Sequence, residues 1–334
     1  MAAPRVCAQE VGVKPDNPIH RRQLLTSSAV TAGGLAAMAA GLACSGVTAA
    51  RPAADASPPP PAGSGTFIEA RDGTRLYYLD WGSGKPVVFL HAWGLNADIW
   101  EYQMMDLVDH GLRCVAYDRR GHGRSMDPGR GYDFDTLADD LAVMLDRLEL
   151  HDVTLVGHSM GGGEVARYLS RHGTKRIARV VLTSAITPIV GRRPDYPEGA
   201  DPAKVDAFVA ALKHDRPATL TAGIPLFTGT ARPVSPAMSQ WVVNQFLRAS
   251  PKGSIECQRA IAGADFRPDM RAFTIPTLII HGDDDQVVSL DRNARATAQA
   301  IRGSELKIYE GGSHGLILAD RERFNRDLLA FARS

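Results

Sequence analysis

The sequence predicts an α/β architecture: a mostly parallel sheet flanked by helices, with a helical cap inserted between two late strands. Three observations carry that expectation. Short, continuously apolar runs recur between helical patterns, as strands do when both faces of a sheet are covered. One run leads into Val156-Gly157-His158-Ser159-Met160-Gly161-Gly162 and then into a helical stretch. One interval, about residues 187–272, holds helical patterns but no core strand.

The N-terminal part is a different kind of sequence. Arg21-Arg22-Gln23-Leu24-Leu25 precedes residues 29–50, which are mostly Ala, Gly, Val, Leu and Thr and carry no charge. A cationic region followed by a weakly apolar one is a targeting segment, so residues 1–50 are expected to be a twin-arginine export signal. The translocation machinery is then a partner and the protein is exported to the periplasm or beyond. A membrane anchor is the weaker alternative, since Gly33, Gly34, Gly41 and Gly46 interrupt the run. Cleavage after Val47-Thr48-Ala49 fits the small-residue rule, and Gly41-Leu42-Ala43-Cys44 is a poor lipoprotein-like match. Residues 51–65, with Pro58-Pro59-Pro60-Pro61, read as a semi-rigid disordered spacer. The folded domain is expected over 66–334.

Within that domain the elements follow in order. Residues 66–70 and 75–81 flank Asp72-Gly73, a hairpin signal. Residues 86–91 and 112–117 are apolar strands with a helix between them over 98–110. Leu137, Leu141, Met144, Leu145 and Leu148 put one apolar face on a helix over 134–150. The strand around 153–155 ends at the glycine-serine turn, followed by a helix over 164–172. Further strands lie at 178–183, 277–281 and 306–309, and a last helix at about 320–331. In the cap, helices are expected over 202–212, 236–247 and 253–263, with Ser235-Pro236 as an N-cap and first-turn proline.

Charge excludes some functions. The chain has 38 Lys and Arg against 37 Asp and Glu, mixed along its length, so neither a nucleic-acid track nor a polybasic membrane surface is indicated. Of four cysteines, Cys7 and Cys44 fall in the targeting segment. Cys114 lies in an apolar run and Cys257 in a distant helical stretch, so no disulfide is expected.

The chemistry centres on Ser159. A Gly-x-Ser-x-Gly pentad between strand and helix is a nucleophile elbow, with the hydroxyl held on a tight turn at the helix N-terminus. Serine is a weak nucleophile at neutral pH, so it needs a base, and the base an orienting acid. Loops after later strands supply both, in the order acid then histidine. Gly282-Asp283-Asp284-Asp285 follows one strand, and Glu310-Gly311-Gly312-Ser313-His314-Gly315 follows the next. His314 is the base. The residues alone leave the three aspartates open. The Met160 amide, first after the nucleophile, is a candidate oxyanion donor. No metal-ligand cluster is evident, and no cofactor is expected. Phe208, Phe227, Trp241 and Phe246 in the cap are candidates for lining an acyl pocket, although packing of the cap onto the core accounts for them as well.

From residue 66 onward the chain resembles α/β-hydrolase-fold serine hydrolases, and among them the cofactor-free haloperoxidases, also described as aryl esterases or perhydrolases. The resemblance rests on Phe89-Leu90-His91-Ala92-Trp93-Gly94-Leu95-Asn96-Ala97, Tyr117-Asp118-Arg119-Arg120-Gly121-His122-Gly123-Arg124-Ser125, the elbow with Gly163-Glu164-Val165-Ala166-Arg167-Tyr168, and His281-Gly282-Asp283-Asp284-Asp285-Gln286-Val287-Val288. It implies the α/β-hydrolase fold, Asp285 as the acid, and the Trp93 amide as the second oxyanion donor. It also implies hydrolysis of small aryl esters through an acyl-enzyme, with hydrogen peroxide as an alternative acyl acceptor. Two positions depart from the family pattern. Ala92 replaces a glycine, and Gly94 stands where many haloperoxidase members have proline, so the balance between peroxide and water is open. A lactonase or carbon-carbon bond hydrolase would use the same triad under a different cap. A noncatalytic binder of small ligands would need no triad.

Overall fold

Side chains alternate across a strand, and in the central strands of this sheet both sets are largely apolar and buried. The computed structural model describes residues 66–334, so the expected export signal and spacer, with Cys7 and Cys44, lie outside the described residues. The strands are β1 (Thr66–Glu69), β2 (Arg75–Gly82), β3 (Pro86–Leu90), β4 (Arg113–Tyr117), β5 (Val153–His158), β6 (Ile177–Thr183), β7 (Thr277–Gly282) and β8 (Glu305–Tyr309). They form one sheet in the order β1-β2-β4-β3-β5-β6-β7-β8, antiparallel at β1-β2 and β2-β4 and parallel elsewhere. Val88, Leu90, Val115 and Leu155 enter one core; Val87, Phe89, Cys114 and Val156 enter the other.

Helices cover both faces. These are α1 (Glu101–Asp109), α2 (Phe134–Arg147), α3 (Met160–His172), α4 (Pro202–His214), α5 (Arg216–Thr228), α6 (Pro236–Arg248), α7 (Pro251–Gly263), α8 (Ala296–Ala300), α9 (Leu316–Ala319) and α10 (Arg321–Arg333). Leu137, Leu141 and Met144 of α2 and Val165 and Leu169 of α3 join the first core. Met104 and Leu107 of α1 and Phe324 and Leu328 of α10 join the second. Asp133 caps α2 by accepting from the Thr136 amide. Cys114 and Cys257 are buried and unbridged, and burial pushes both thiols up to about 12. Among the described residues no helix is long and apolar enough to cross a membrane.

The cap is α4 to α7, and it holds one helix more than its sequence pattern indicates. Each of the four opens on an aspartate or serine cap with proline in the first turn, Ser235-Pro236 among them. The unforeseen helix is α5, whose Thr219, Thr221, Gly223 and Pro225 all weaken a helical pattern. Two boundaries also differ. The stretch over 98–110 divides into a 3-10 turn, Ala97–Trp100, followed by α1. α3 begins at Met160, not at residue 164, because the glycines that lower its propensity are required by packing: a Cβ on Gly162 would lie 2.5 Å from Ala185, and one on Gly163 2.7 Å from Phe266.

Candidate active site

Ser159 occupies the turn between β5 and α3 with φ +54° and ψ −113°, a region that costs an L-residue about 1–3 kcal/mol. The surroundings over-determine it. Its amide donates to the Thr183 carbonyl at 2.9 Å, and its own carbonyl accepts from Gly162 at 3.0 Å and Ile186 at 3.3 Å. Only glycine fits on either side: a Cβ on Gly157 would meet the Gly161 carbonyl at 2.7 Å, and one on Gly161 the Leu90 carbonyl at 2.4 Å. The Ser159 hydroxyl does not cap α3, so it is not consumed by structure. The Met160 amide opens α3, where unpaired N–H groups and the helix dipole favour negative charge.

His314 lies on the loop after β8 and Asp285 on the loop after β7. Asp285 Oδ2 accepts from His314 Nδ1 at 2.8 Å, with both side chains almost wholly buried. Burial works against the charge of Asp285, yet the His314 imidazole, then His281 and the Val288 amide, hold its carboxyl down to about 2. Its other oxygen accepts from the amides of Val287 and Val288 at 2.9 and 2.8 Å, which fixes the carboxylate plane. The neighbouring aspartates do other work. Asp283 is exposed and accepts from the Gly311 amide at 2.6 Å, closing the β7 loop onto the β8 loop. Asp284 accepts from Gln286 at 2.8 Å. Position therefore separates three identical side chains that residue type alone could not.

Two buried histidines support this pair. His158 donates from Nε2 to the His314 carbonyl at 3.0 Å, so the residue before the serine holds the backbone of the histidine loop. His281 donates from Nε2 to the Val288 carbonyl at 3.0 Å and lies 3.4 Å from Asp285 Oδ2. Burial lowers both, His158 to about 3, so both are neutral donors near neutral pH. The sequence assigns neither a supporting role: His158 reads as part of the glycine-serine turn and His281 as the end of a strand. His110, His151 and His214 are exposed, and His122 sits buried in its turn with its pKa lowered to about 3 by burial and by Arg119.

Aromatic side chains of the cap reach this region unequally. The Phe227 ring lies 5.6 Å from His314 and 6.0 Å from His158, and Phe246 lies 5.9 Å from Phe227. Trp93 continues the wall, 5.8 Å from Phe246 and 5.6 Å from Phe208. Trp241 does not belong to it. Its ring packs edge-on to Tyr102 at 6.0 Å, at the seam between α6 and α1, because five residues of helix turn it about 140° away from Phe246. Ser159 is 5% exposed and His314 3%. Two open grooves, one lined by Arg71, Asp146 and Lys175 and one by Val234, Asp320 and Arg326, contain no member of the triad.

The two departures in the loop after β3 have distinct consequences. Ala92 is not among the positive-φ residues, so alanine replaces glycine there without strain. Gly94 has φ +73°, which proline cannot adopt, and a Cβ there would strike Phe246 at 2.5 Å. Among the described residues no group of His, Cys, Asp and Glu is arranged to hold a metal ion.

The family model described as alpha/beta hydrolase fold matches residues 85–320. The chain is 46% identical over 267 residues to a non-heme chloroperoxidase of Kitasatospora aureofaciens, covering 78% of this chain and 97% of that protein. It is 35% identical over 275 residues to a bifunctional esterase/perhydrolase of Acinetobacter calcoaceticus, covering 80% and 99%. The crystal structure of a bromoperoxidase from Bacillus anthracis matches with a TM-score of 0.78 at 42% identity, over 81% of this chain and 100% of that one. With a nucleophile elbow after β5, a helical cap between β6 and β7 and an Asp–His pair on the loops after β7 and β8, this chain belongs to the α/β-hydrolase family.

Proposed function

We propose that the protein is a serine hydrolase of small carboxylic esters, aryl esters in particular, and that peroxide can replace water in its second step. The single observation that carries the reading is the 2.8 Å bond from His314 to the buried Asp285 carboxylate, on a loop whose His314 carbonyl accepts from His158, the residue before the strained Ser159. Ser159 Oγ attacks the ester carbonyl while His314 takes its proton; Asp285 fixes the imidazole tautomer and stabilises the imidazolium. The amides of Met160 and Trp93 hold the oxyanion, a donor of this kind supplying about 3 kcal/mol. The leaving alcohol takes the proton from His314, and an acyl-enzyme remains. Attack by water releases the acid. Attack by hydrogen peroxide releases a peracid, which oxidises halide in solution, and this route connects ester hydrolysis with the names of the chloroperoxidase and esterase/perhydrolase relatives.

A panel of aryl esters, lactones and short acids with peroxide, run on wild type and Ser159→Ala, tests the reading. Loss of ester hydrolysis by roughly 10⁶-fold in the variant is expected. Hydrolysis that survives the substitution would sink it, and faster turnover of lactones than of aryl esters would favour the lactonase alternative. Phe208, Phe227 and Phe246 supply the apolar wall for the acyl or aryl group. Export by the twin-arginine route is part of the same proposal, supported by Arg21-Arg22 and the uncharged run after them. Replacing both arginines with lysine should retain the precursor inside the cell; unchanged export would assign the segment to another pathway.

A further inference from the structure

The peptide joining Ala92 to Trp93 is anchored through its oxygen. That carbonyl accepts from His91 Nδ1 at 2.8 Å, from the Leu95 amide at 3.3 Å and from Arg119 Nη1 at 3.4 Å. In a trans peptide the C=O and N–H lie in one plane and point to opposite edges. Fixing the oxygen therefore fixes the direction of the Trp93 N–H, the second oxyanion donor of the proposed mechanism.

The anchors are themselves tightly held. The backbone N–H of Arg119 donates to His91 Nε2 at 3.0 Å, so that nitrogen is an acceptor and the ring proton sits on Nδ1, facing the Ala92 carbonyl. Burial, and then the Arg119 charge, keeps His91 well below the ordinary histidine value, so the ring stays neutral and the tautomer is single. The Arg119 guanidinium donates through Nη2 to the His91 carbonyl at 2.7 Å and through Nε to the Glu164 carboxylate. Glu164 also accepts from the Tyr117 hydroxyl at 3.1 Å. Arg119 is 1% exposed and Glu164 0%. Such an ion pair is a weak way to gain stability, because desolvation of both charges offsets their attraction. Its placement has a more specific use: Glu164 lies on α3, which begins just after the nucleophile, and Arg119 carries that connection to the loop after β3.

We infer that Arg119 is a positioning residue: braced by Glu164 on the nucleophile helix, it acts with His91 to clamp the Ala92 carbonyl and so aims the Trp93 amide at the oxyanion. The inference rests on the assignment of that amide as a donor. Nothing in the sequence singles Arg119 out from Arg120, which turns instead to Asp140 and Asp72.

Two variants test it. Arg119→Met combined with Glu164→Gln removes the Arg119 side of the clamp, and the brace on the His91 carbonyl, without leaving a buried charge unpaired. Arg119→Lys keeps the charge but loses the planar fork. The readouts are kcat and KM for p-nitrophenyl acetate, the inhibition constant of phenylboronic acid, which forms a tetrahedral adduct with an active serine, and the melting temperature. A donor out of line weakens the transition state and the tetrahedral adduct together and leaves ground-state binding alone. Both variants should lose roughly 10²-fold in kcat with KM changed less than about threefold, and boronic acid affinity should fall in step. Arg119→Lys should melt nearer to wild type than the paired variant does, yet recover little of the rate, and it decides the matter if the paired variant does not fold. Wild-type kcat in Arg119→Lys overturns the inference, as does a lost rate with unchanged boronic acid affinity. A failure of the hydrolase reading is distinct, since it shows as ester hydrolysis persisting in Ser159→Ala.

Discussion

On the sheet side of the site, Ser159, Asp285 and His314 are set by backbone turns and by directional bonds, such as the 2.8 Å contact between the last two. On the cap side, Phe227, Phe246 and Phe208 are set by ring contacts of 5.6 to 5.9 Å with one another, with Trp93 and with His314. A hydrogen-bonded carboxylate has one good geometry, whereas an apolar wall has several of nearly equal energy. The difference assigns tasks. Proton transfer and oxyanion binding need placement to a fraction of an ångström, while an acyl or aryl group needs only a complementary dry surface. Rate should therefore be most sensitive on the sheet side and selectivity on the cap side.

The strongest way to break that division is at the acid. Asp285→Asn leaves the loop shape but misplaces the imidazole proton, so kcat should fall by roughly 10⁴. Asp284→Asn should change kcat by less than about tenfold, and Asp283→Asn should lower the melting temperature along with the rate, because the bond from the Gly311 amide loses its charged acceptor. Asp283→Asn inactive at wild-type stability, with Asp285→Asn active, would reassign the acid.

Acid should act on the sheet side next. His91, His122 and His158 are buried there, with folded pKa values below the ordinary 6.5, the last two at about 3. The unfolded chain then takes up protons that the folded one refuses. Stability from these groups is complete above pH 6.5 and is lost progressively as pH falls toward 3. Melting temperatures across that window should decline steadily, and a flat profile down to pH 4 would mean that the rings do not remain neutral.

The cap offers the smaller effects. Phe227→Ala removes a buried ring, so it should cost about 3 kcal/mol in stability. It should also raise KM for aryl esters more than it lowers kcat. Trp241→Ala, on the same cap but turned to Tyr102, should cost about 1 kcal/mol and leave the kinetic constants alone. Equal kinetic effects from the two would show that the wall extends further than ring contacts indicate.

Much of this was legible in the residues themselves. Parallel strands buried on both faces announce their existence through uninterrupted apolar runs, and the sequence order Ser159, Asp285, His314 places the three on the loops after β5, β7 and β8. The choice of Asp285 comes through resemblance; in the fold it is the aspartate of the three that bonds His314. The cap was harder to read. α5 was missed because Gly223 and Pro225 oppose helix propensity that tertiary packing supplies, and α3 was begun late for the same reason at Gly161, Gly162 and Gly163. Trp241 was grouped with Phe246 although helical phase separates them, a signal that was present and went unused. Arg119 and Glu164 stand in two of the motifs that carry the resemblance, but their pairing is hidden, since charged residues 45 positions apart reveal a buried contact only once the chain is folded.

Three contacts at the end of α5 bear on how such enzymes diversify. The Gly315 amide, next to His314, donates to the Phe227 carbonyl at 2.6 Å; Gly229 packs against Ser313 where a Cβ would fall 2.6 Å away; and Arg232 pairs with Asp320. The end of α5 is thus fastened to the loop that carries the base. Exchange of caps between relatives is not a modular operation here, and a chimera that replaces α4 to α7 must retain residues 227–232 if the recipient is to keep its turnover along with its new substrate range.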